Sequence, residues 1–372
     1  MSRQRLVDAS RQRLLSLQRV LREAGLAGYL ADSPVEVAYL SQFGGDDSWL
    51  LVPARGKATL ITDFRYGEDA RTDCPHLRIR LRTDSLAKEL ARLTRRLDAP
   101  VGFNPETVTV SLRRSLVRLV GAGGLRPLAG AVTRMRIRKD PTEVQAVERA
   151  LRVAEAAYGD FLGRIRLGMT EIELAGELEY AMRRRGAAGP AFETICAVGP
   201  NASRPHARPG NRRLTAETPL LIDFGALLDG YRCDLTRMVL AARIRPDVRR
   251  AYEAVLAAQE AAILAAGPGV PAANVDQAAR QVLIDRGYRK TFGHGTGHGL
   301  GREVHEGPSL SPRSAAQVVL EPGMIVTIEP GLYVPRQFGI RIEDDVLITG
   351  KGRRVLSRLP KKLEQVVLSP RR

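Results

Sequence analysis

Four carboxylates stand inside or at the end of apolar, strand-like runs in the second half of the chain, at Asp223, Asp234, Glu329 and Glu343. A single acidic residue in such a run is usually a surface or interface carboxylate with a cationic partner. Four of them need another explanation, because burying an unpaired carboxylate is costly and metal coordination is the usual compensation. The pattern therefore predicts β-strands that bring these side chains together around cations.

The spacing of the first two carboxylates supports this interpretation. Asp234 follows Asp223 after a short segment, and its central part, 225–230, begins and ends with glycine, as a hairpin turn often does. A hairpin places the two carboxylates on adjacent strands. Two anions in that arrangement repel each other unless cations lie between them.

Three of the five histidines lie in one glycine-rich stretch, at His294, His298 and His305. A flexible loop would explain the glycines but not this concentration of imidazoles, whereas His76 stands alone and is expected to be an ordinary surface or core residue. Glycine on both sides of His298 lets the backbone approach a metal closely. One imidazole with four carboxylates is a mostly hard-oxygen ligand set, which favours Mn²⁺, with Co²⁺, Fe²⁺ and Zn²⁺ also compatible. Bridging carboxylates would hold two divalent metal ions at the spacing used in two-metal hydrolysis.

The composition limits the class of protein. The 372 residues carry a formal net charge of +17, and 51 of the 58 basic residues are arginine. Such a bias is typical of a GC-rich genome, and the basic residues are scattered without interleaved aromatics, so we expect no nucleic-acid partner. No stretch approaches the roughly 18 apolar residues of a membrane span, and the N-terminus lacks an apolar signal core, so we expect no membrane association. Three cysteines without paired spacing indicate reduced thiols in a cytoplasmic protein.

The chain divides into two predicted domains, 1–136 and 137–372. Asp140 and Pro141 suit the cap and first turn of a helix that opens the second domain. The first domain is predicted to be α/β, with Ser10 as the cap of its first helix. Its expected helices and strands lie at 10–24, 28–31, 49–53, 58–62, 85–97 and 108–120.

The second domain is predicted to be α+β, with helices flanking a mostly antiparallel sheet. Thr170 begins a capping-box pattern, which marks a helix start. Helices are expected over 140–164, 170–185, 246–266 and 274–286, and strands over 218–224, 231–241, 324–334 and 339–349.

Four motifs, in their order along the chain, resemble those of the pita-bread metallopeptidases, in the branch that contains aminopeptidase P and prolidase (Xaa-Pro dipeptidase). They are Asp-Phe-Gly with Gly-Tyr-Arg-Cys-Asp-Leu-Thr-Arg within 223–237, Gly-Thr-Gly-His-Gly-Leu-Gly at 295–301, Thr-Ile-Glu-Pro-Gly at 327–331 and Gly-Ile-Arg-Ile-Glu-Asp at 339–344. Residues 1–136 resemble the creatinase-type domain of this branch. The resemblance implies an α/β N-terminal creatinase-type domain followed by an α+β pita-bread catalytic domain.

The resemblance also implies metal-binding roles. Asp223 would bind one metal ion, and Asp234 and Glu343 would bridge both ions. His298 and Glu329 would complete the shell of the other ion. Each of these residues is present at its motif position.

Further residues match family positions around the metal ions. His206 corresponds to a histidine that faces the substrate, and His294 and His305 correspond to flanking histidines that bind substrate and stabilise the transition state. Arg341 matches the arginine that precedes the bridging glutamate by two positions. Arg302 departs from the family pattern, in which a smaller or apolar residue is usual, and is expected to alter substrate preference.

The implied reaction is hydrolysis of the Xaa-Pro bond of short peptides, by an Xaa-Pro aminopeptidase or an Xaa-Pro dipeptidase. A metal-bridging hydroxide would attack the carbonyl that precedes proline, and His305 would donate to the developing oxyanion. Glu329 would accept the proton of the water and pass it to the leaving nitrogen. Proline nitrogen carries no N–H, so a peptidase that grips this hydrogen cannot use such a substrate.

Three alternatives agree less well with the sequence. A methionine aminopeptidase has the same five ligand types, but the N-terminal domain, His294 and Arg341 favour the proline branch. Creatinase shares the fold without a metal, and a metal-free enzyme has no reason to keep four carboxylates. A non-catalytic pita-bread protein that binds proteins or nucleic acid would lose ligands, and here none is missing.

Members of the branch are usually homodimers in which the N-terminal domain reaches the active site of the partner. We therefore expect a homodimer whose first 130 or so residues help close the neighbouring cleft against long peptides.

Overall fold

The computed structural model describes residues 3–95, 97–240 and 243–367. They form two compact units, Met1–Arg136 and Ile137–Arg372. The first unit is α/β and the second is α+β, as the sequence predicts. Of the helices within the described ranges, none combines the length and the apolar character that a membrane crossing requires.

The N-terminal unit is built on a six-stranded mixed sheet with the strand order β4-β3-β2-β1-β5-β6. Its strands are β1 (Gly28–Ala31), β2 (Trp49–Pro53), β3 (Thr59–Thr62), β4 (Arg78–Leu81), β5 (Val101–Phe103) and β6 (Leu125–Pro127). Its helices are α1 (Arg3–Glu23), α2 (Pro34–Ser41), α3 (Gly67–Asp73), α4 (Leu86–Thr94), α5 (Val110–Val120) and α6 (Ala131–Ile137).

Apolar clusters cover both faces of this sheet. Successive strand residues point to opposite faces, so they alternate between the two clusters. Tyr29 and Val52, which are paired between β1 and β2, belong to one apolar cluster. The next pair, Leu30 and Leu51, belongs to a second cluster. The short apolar runs of the sequence are therefore strands buried on both faces.

The prediction that Ser10 caps the first helix is wrong. Helix α1 begins at Arg3, and Ser10 lies on its buried face, where its hydroxyl donates to the carbonyl oxygen of Leu40 at 2.5 Å. The side chain of Val7 is also buried, so the apolar face continues one turn before the predicted start. Packing of this face stabilises the extra turns, which capping preferences alone do not reveal.

The second unit contains four long helices and thirteen short strands within the described ranges. The helices are α7 (Pro141–Leu162), α8 (Glu171–Arg184), α9 (Pro246–Ala265) and α10 (Ala272–Asp285). The strands are β7 (Gly189–Pro190), β8 (Ile195–Val198), β9 (Leu220–Phe224), β10 (Ala226–Leu228), β11 (Tyr231–Arg232), β12 (Leu235–Val239), β13 (Gly297–Gly299), β14 (Glu306–Leu310), β15 (Ile325–Ile328), β16 (Gly331–Val334), β17 (Phe338–Arg341), β18 (Asp344–Thr349) and β19 (Gly352–Val355).

The ladders between these strands are antiparallel. They form sheets in the orders β11-β10-β7, β12-β9-β8, β14-β13-β15-β18-β19 and β16-β17. One apolar cluster includes Leu178 of α8 and Ile222 of β9, and another includes Val255 of α9 and Val326 of β15. Helices on the outside thus bury the apolar faces of the strands that carry the site.

Capping explains where α7 and α8 begin, as predicted. The carboxylate of Asp140 accepts hydrogen bonds from the N–H groups of Thr142 and Glu143, and Glu143 bonds back to the N–H of Asp140. Thr170 and Glu173 form the same reciprocal box. Each box satisfies donors that the first turn of a helix leaves free.

The long strands predicted over 324–334 and 339–349 are each broken in two, and the breaks fall at the acidic residues. The first break lies at Glu329 and Pro330, between β15 and β16, where proline removes a donor from the ladder. The second lies just before β18, where the N–H of Glu343 donates to the carbonyl oxygen of Thr236 at 3.2 Å. Strand ends therefore position Glu329 and Glu343, rather than strand interiors.

Candidate metal centre

Three carboxyl groups converge in the second unit, two of them buried and that of Asp223 half-buried. Asp223, Asp234 and Glu343 each offer an oxygen atom, and these atoms all lie within 4.8 Å of one another. Asp223 is part of β9, whereas Asp234 and Glu343 immediately precede β12 and β18. Strands β9 and β12 are antiparallel neighbours, with Asp223 opposite Thr236, so the predicted approach of the two aspartates is present.

His298 and Glu329 complete the group. His298 Nε2 lies 3.3 Å from Glu329 Oε1 and 3.9 Å from Asp234 Oδ2. His298 Nδ1 lies 3.0 Å from the carbonyl oxygen of Gly299, which can only accept a hydrogen bond. Nδ1 therefore carries a proton, and Nε2 faces the carboxylates. This orientation is typical of a histidine that binds a metal through Nε2.

Without a cation, the cluster is electrostatically unfavourable. Burial raises the pKa of Asp234 well above its ordinary value, and the nearby charges of Glu343 and Asp223 raise it further. The pKa of Glu343 is likewise raised well above its usual range, first by burial and then by the charges of Glu329 and Asp223. Each shift reports the cost of holding negative charge where little water is available.

Unsatisfied acceptor atoms support cation binding at this place. Asp223 Oδ1, Asp234 Oδ1 and Glu343 Oε1 are buried, and none has a hydrogen-bond partner among the described residues. Buried carboxylate oxygens are normally paired, because an unpaired one costs the full loss of its hydration. Divalent cations would satisfy all three oxygens. The residues present therefore fit a divalent metal site dominated by hard oxygen ligands.

A second layer of hydrogen bonds holds two of the carboxylates. Thr236 Oγ1 donates to Glu343 Oε2 at 2.6 Å and accepts from Arg341 Nε at 3.1 Å. Arg341 Nη2 donates to Asp223 Oδ2. A single buried arginine thus connects Asp223 with Glu343 through Thr236, which fixes both side chains relative to each other.

The same arginine is linked to His294 through Tyr333. Arg341 Nη1 donates to the hydroxyl of Tyr333 at 2.8 Å, and that hydroxyl lies 2.9 Å from His294 Nε2. His294 Nδ1 lies 2.7 Å from the carbonyl oxygen of Gly295, so Nδ1 carries a proton and Nε2 accepts from Tyr333. Burial raises the pKa of Tyr333 to about 12, so the phenol keeps its proton.

All nine predicted site residues line one cavity of about 560 Å³. They are His206, Asp223, Asp234, His294, His298, His305, Glu329, Arg341 and Glu343. The ring of His305 packs beside that of His298 with 4.3 Å between centroids, and His206 is exposed. A cavity of this size is appropriate for a short peptide or another small ligand.

Two domain models match the chain. Residues 145–350 match metallopeptidase family M24, and residues 13–138 match the creatinase/prolidase N-terminal domain. The chain belongs to metallopeptidase family M24. The predicted combination of a creatinase-type domain with a pita-bread catalytic domain is thereby confirmed.

Three relatives of this M24 chain match nearly its whole length. An uncharacterized peptidase of Bacillus subtilis is 35% identical over 352 residues, which cover 94% of this chain and 99% of the relative. The structure of an Xaa-Pro dipeptidase from Bacillus anthracis superposes with a TM-score of 0.91 at 33% identity, covering 96% of this chain and 100% of that one. An X-Pro aminopeptidase from Thermotoga maritima gives a TM-score of 0.88 at 33% identity, covering 94% and 100%.

Arg302 lies beside this M24 site. It is not among the described residues that line the cavity, and its guanidinium lies over the ring of Tyr231, 4.7 Å from the ring centroid. An effect of Arg302 on substrate preference stays a prediction and would act through the packing of Tyr231. Conversely, the sequence analysis missed Tyr333, which joins Arg341 to His294. A tyrosine in the buried strand that follows Glu329 was the available signal, because a buried phenol usually has a hydrogen-bond partner.

Proposed function

We propose that this metallopeptidase hydrolyses the Xaa-Pro bond of short peptides with two divalent metal ions. The observation that supports this most strongly is the set of three convergent carboxyl groups with buried, unpartnered oxygens inside a peptide-sized cavity. The names of the Bacillus anthracis and Thermotoga maritima relatives supply the substrate class. Manganese is the proposed metal, since the ligand set is mostly oxygen.

Five side chains would hold the metal ions. Asp223 would bind one ion and Asp234 and Glu343 would bridge both, with His298 and Glu329 on the other. When bound, two such ions supply a water that ionises near neutral pH and an electrophile for the substrate carbonyl.

Glu329 is the proposed proton carrier. In the absence of metal, the hydrogen bond and charge of a protonated His298 lower the pKa of Glu329, although burial acts in the opposite direction. With metal ions bound, their positive charge would replace that of the imidazolium and keep Glu329 a carboxylate that can accept the proton of a water molecule. Glu329 would then deliver this proton to the proline nitrogen as the bond breaks.

The histidines at the cavity have different proposed roles. Burial lowers the pKa of His305 below that of a free imidazole, so His305 is neutral at pH 7. A neutral imidazole keeps one N–H, which would donate to the oxyanion as the carbonyl is attacked. His206 is exposed at the cavity and would contact the substrate. His294, whose two ring nitrogens are already engaged, would present the face of its ring.

The test is hydrolysis after removal and return of metal. The protein is stripped with a chelator and reconstituted with Mn²⁺, Co²⁺ or Zn²⁺, and then assayed on Ala-Pro, Ala-Pro-Ala and Ala-Ala. We expect metal-dependent cleavage of at least one proline substrate and little cleavage of Ala-Ala. Cleavage of Met-Ala-Ser without cleavage of either proline substrate would contradict the proposal in favour of a methionine aminopeptidase.

We further propose that the protein is a cytoplasmic homodimer. All three cysteines are free thiols and buried, which agrees with a reducing compartment. In the dimer, the first 130 or so residues would help close the active site of the partner. Sedimentation analysis should give twice the chain mass of 40.7 kDa. A monomer that still rejects long peptides would contradict this part of the proposal.

A further inference from the structure

A dipeptide brings a free carboxylate within one residue of the scissile bond. Two divalent ions would offset the four carboxylates that hold them, and the cavity is also lined by Glu193. A cationic side chain near the position of the second residue would therefore favour binding of the substrate carboxylate. Among the described residues that line the cavity, only Arg208 and Arg341 carry a permanent positive charge.

The side chain of Arg341 is already engaged in hydrogen bonds within the protein. Its side chain is nearly inaccessible, and its nitrogens donate to Thr236 Oγ1, the Tyr333 hydroxyl, the carbonyl oxygen of Pro205 and the carboxylate of Asp223. A substrate carboxylate could engage Arg341 only by displacing one of these acceptors. Losing Asp223 from this arginine would leave a carboxylate of the metal centre unsupported.

Arg208 is available. Its side chain is 85% exposed, and its one ionic contact is an Nε to Glu193 Oε2 distance of 3.8 Å, with Glu193 itself 68% exposed. Ion pairs as exposed as this contribute little free energy, so a better acceptor displaces them readily. Within the described residues, the guanidinium of Arg208 makes no hydrogen bond.

The backbone beside Arg208 is nevertheless held in place. The buried Asn201 side chain donates to the carbonyl oxygen of Arg208 at 3.1 Å and to Glu171 Oε2 at 2.8 Å. Glu171 Oε2 also accepts from the N–H of Gly210 at 2.8 Å. Ala207 is buried between His206 and Arg208, which both line the cavity. A fixed backbone therefore presents an unoccupied guanidinium beside the proposed substrate-contacting histidine.

We infer that Arg208 binds the free carboxylate of the proline residue and makes this enzyme favour dipeptides. This inference rests on the proposed Xaa-Pro activity and names its preferred substrate class. A guanidinium can grip a carboxylate through two parallel hydrogen bonds, which a lysine cannot reproduce. In a longer peptide, an uncharged amide replaces this carboxylate, and the interaction is lost.

The test compares a substrate with and without this charge. KM and kcat are measured for Ala-Pro and for Ala-Pro-amide with the manganese-loaded wild type and with Arg208→Gln. The control is Arg212→Gln, which removes the same charge from an exposed position of the same segment that does not line the cavity. Arg208→Lys keeps the positive charge but cannot form the two parallel hydrogen bonds, so it shows whether the charge alone is sufficient.

We expect Arg208→Gln to raise the KM for Ala-Pro about tenfold, and to leave the KM for Ala-Pro-amide and both kcat values nearly unchanged. Arg208→Lys should recover part of the loss, and Arg212→Gln should behave as wild type. Inhibition by free proline should weaken in Arg208→Gln, whereas inhibition by prolinamide should not.

Two other results have distinct meanings. Equal effects of Arg208→Gln on the acid and the amide, or no effect on either, would overturn the role of Arg208 while leaving the Xaa-Pro activity intact. Failure of the wild type to cleave any proline substrate would instead overturn the proposed function.

Discussion

Removing one hydroxyl group, by Tyr333→Phe, tests whether hydrogen bonds behind the metal centre hold it in shape. The hydroxyl accepts from Arg341 Nη1 at 2.8 Å and donates to His294 Nε2 at 2.9 Å. Phenylalanine preserves the ring and its packing, so the change isolates these two bonds. Arg341 Nη1 would retain only the longer bond to the carbonyl oxygen of Pro205, at 3.3 Å.

The expected size follows from these contacts. A hydrogen bond from a charged donor contributes about 1.5–3 kcal/mol and a neutral one about 0.5–1.5 kcal/mol. Because Arg341 keeps a second acceptor, we expect the free energy of unfolding to fall by about 2–3 kcal/mol. Arg341 also supports Asp223 and is itself retained, so kcat should fall by about 10-fold, the lower end of the effect of losing a direct partner of a metal ligand.

Urea unfolding and steady-state hydrolysis of Ala-Pro measure the two effects. Tyr180→Phe is the control, because Tyr180 is 54% exposed and lies outside the cavity lining. It should change the free energy of unfolding by less than about 0.5 kcal/mol. Wild-type activity and stability in Tyr333→Phe would refute the argument that this hydroxyl helps Arg341 position Asp223.

Two further predictions concern other histidines. His305→Ala should keep both metal ions, measured by elemental analysis, and lower kcat by about 100- to 1000-fold as an oxyanion donor is lost; loss of metal would identify His305 as a ligand instead. Burial, aided by Arg11 and Lys57, lowers the pKa of His76 to about 4, below its value in the unfolded chain. Below about pH 6.5 the unfolded chain binds a proton at His76 that the folded protein does not, so the free energy of unfolding falls as the pH falls toward 4. In urea unfolding the loss should be about 2 kcal/mol at pH 4.5, and no loss from this group is expected above about pH 6.5. His76→Gln should remove that part of the pH dependence, and an unchanged pH profile would contradict it.

The polar partner of His76 explains why its protonation is unfavourable. Ser10 Oγ donates to the carbonyl oxygen of Leu40, so His76 Nε2, which is 2.7 Å from Ser10 Oγ, must be the donor in that contact. His76 Nδ1 is buried without a hydrogen-bond partner among the described residues. Adding a proton at Nδ1 would create a buried charge with no acceptor.

Sequence reasoning was sufficient where local chemistry decides the structure. The boxes at Asp140 and Thr170 start helices, because the cap and its third residue satisfy each other within one turn. Carboxylates in apolar runs likewise predicted convergence, because their burial requires compensation. The convergence of Asp223, Asp234 and Glu343 agrees with that expectation.

Contacts between distant segments could not be obtained in this way. Tyr333 and Arg341 meet because β16 and β17 are paired, whereas the local pattern indicates only that a buried phenol needs a partner and not which residue supplies it. Arg208 is the candidate partner of a substrate carboxylate because Arg341 already donates to Pro205 and Asp223. These hydrogen bonds join distant segments and are visible only in the structure. The start of α1 was missed for a similar reason, since packing of Val7 extends the helix.

Counting bound metal ions tests the dinuclear metal centre most directly. Wild-type protein and Asp234→Asn are stripped of metal with a chelator, reconstituted with excess Mn²⁺ and freed of unbound metal. The manganese content per chain is then measured by elemental mass spectrometry. We expect two ions per wild-type chain and at most one in Asp234→Asn, because an amide offers only one neutral acceptor where a carboxylate serves both ions. Two ions retained in Asp234→Asn, or none in the wild type, would contradict this expectation.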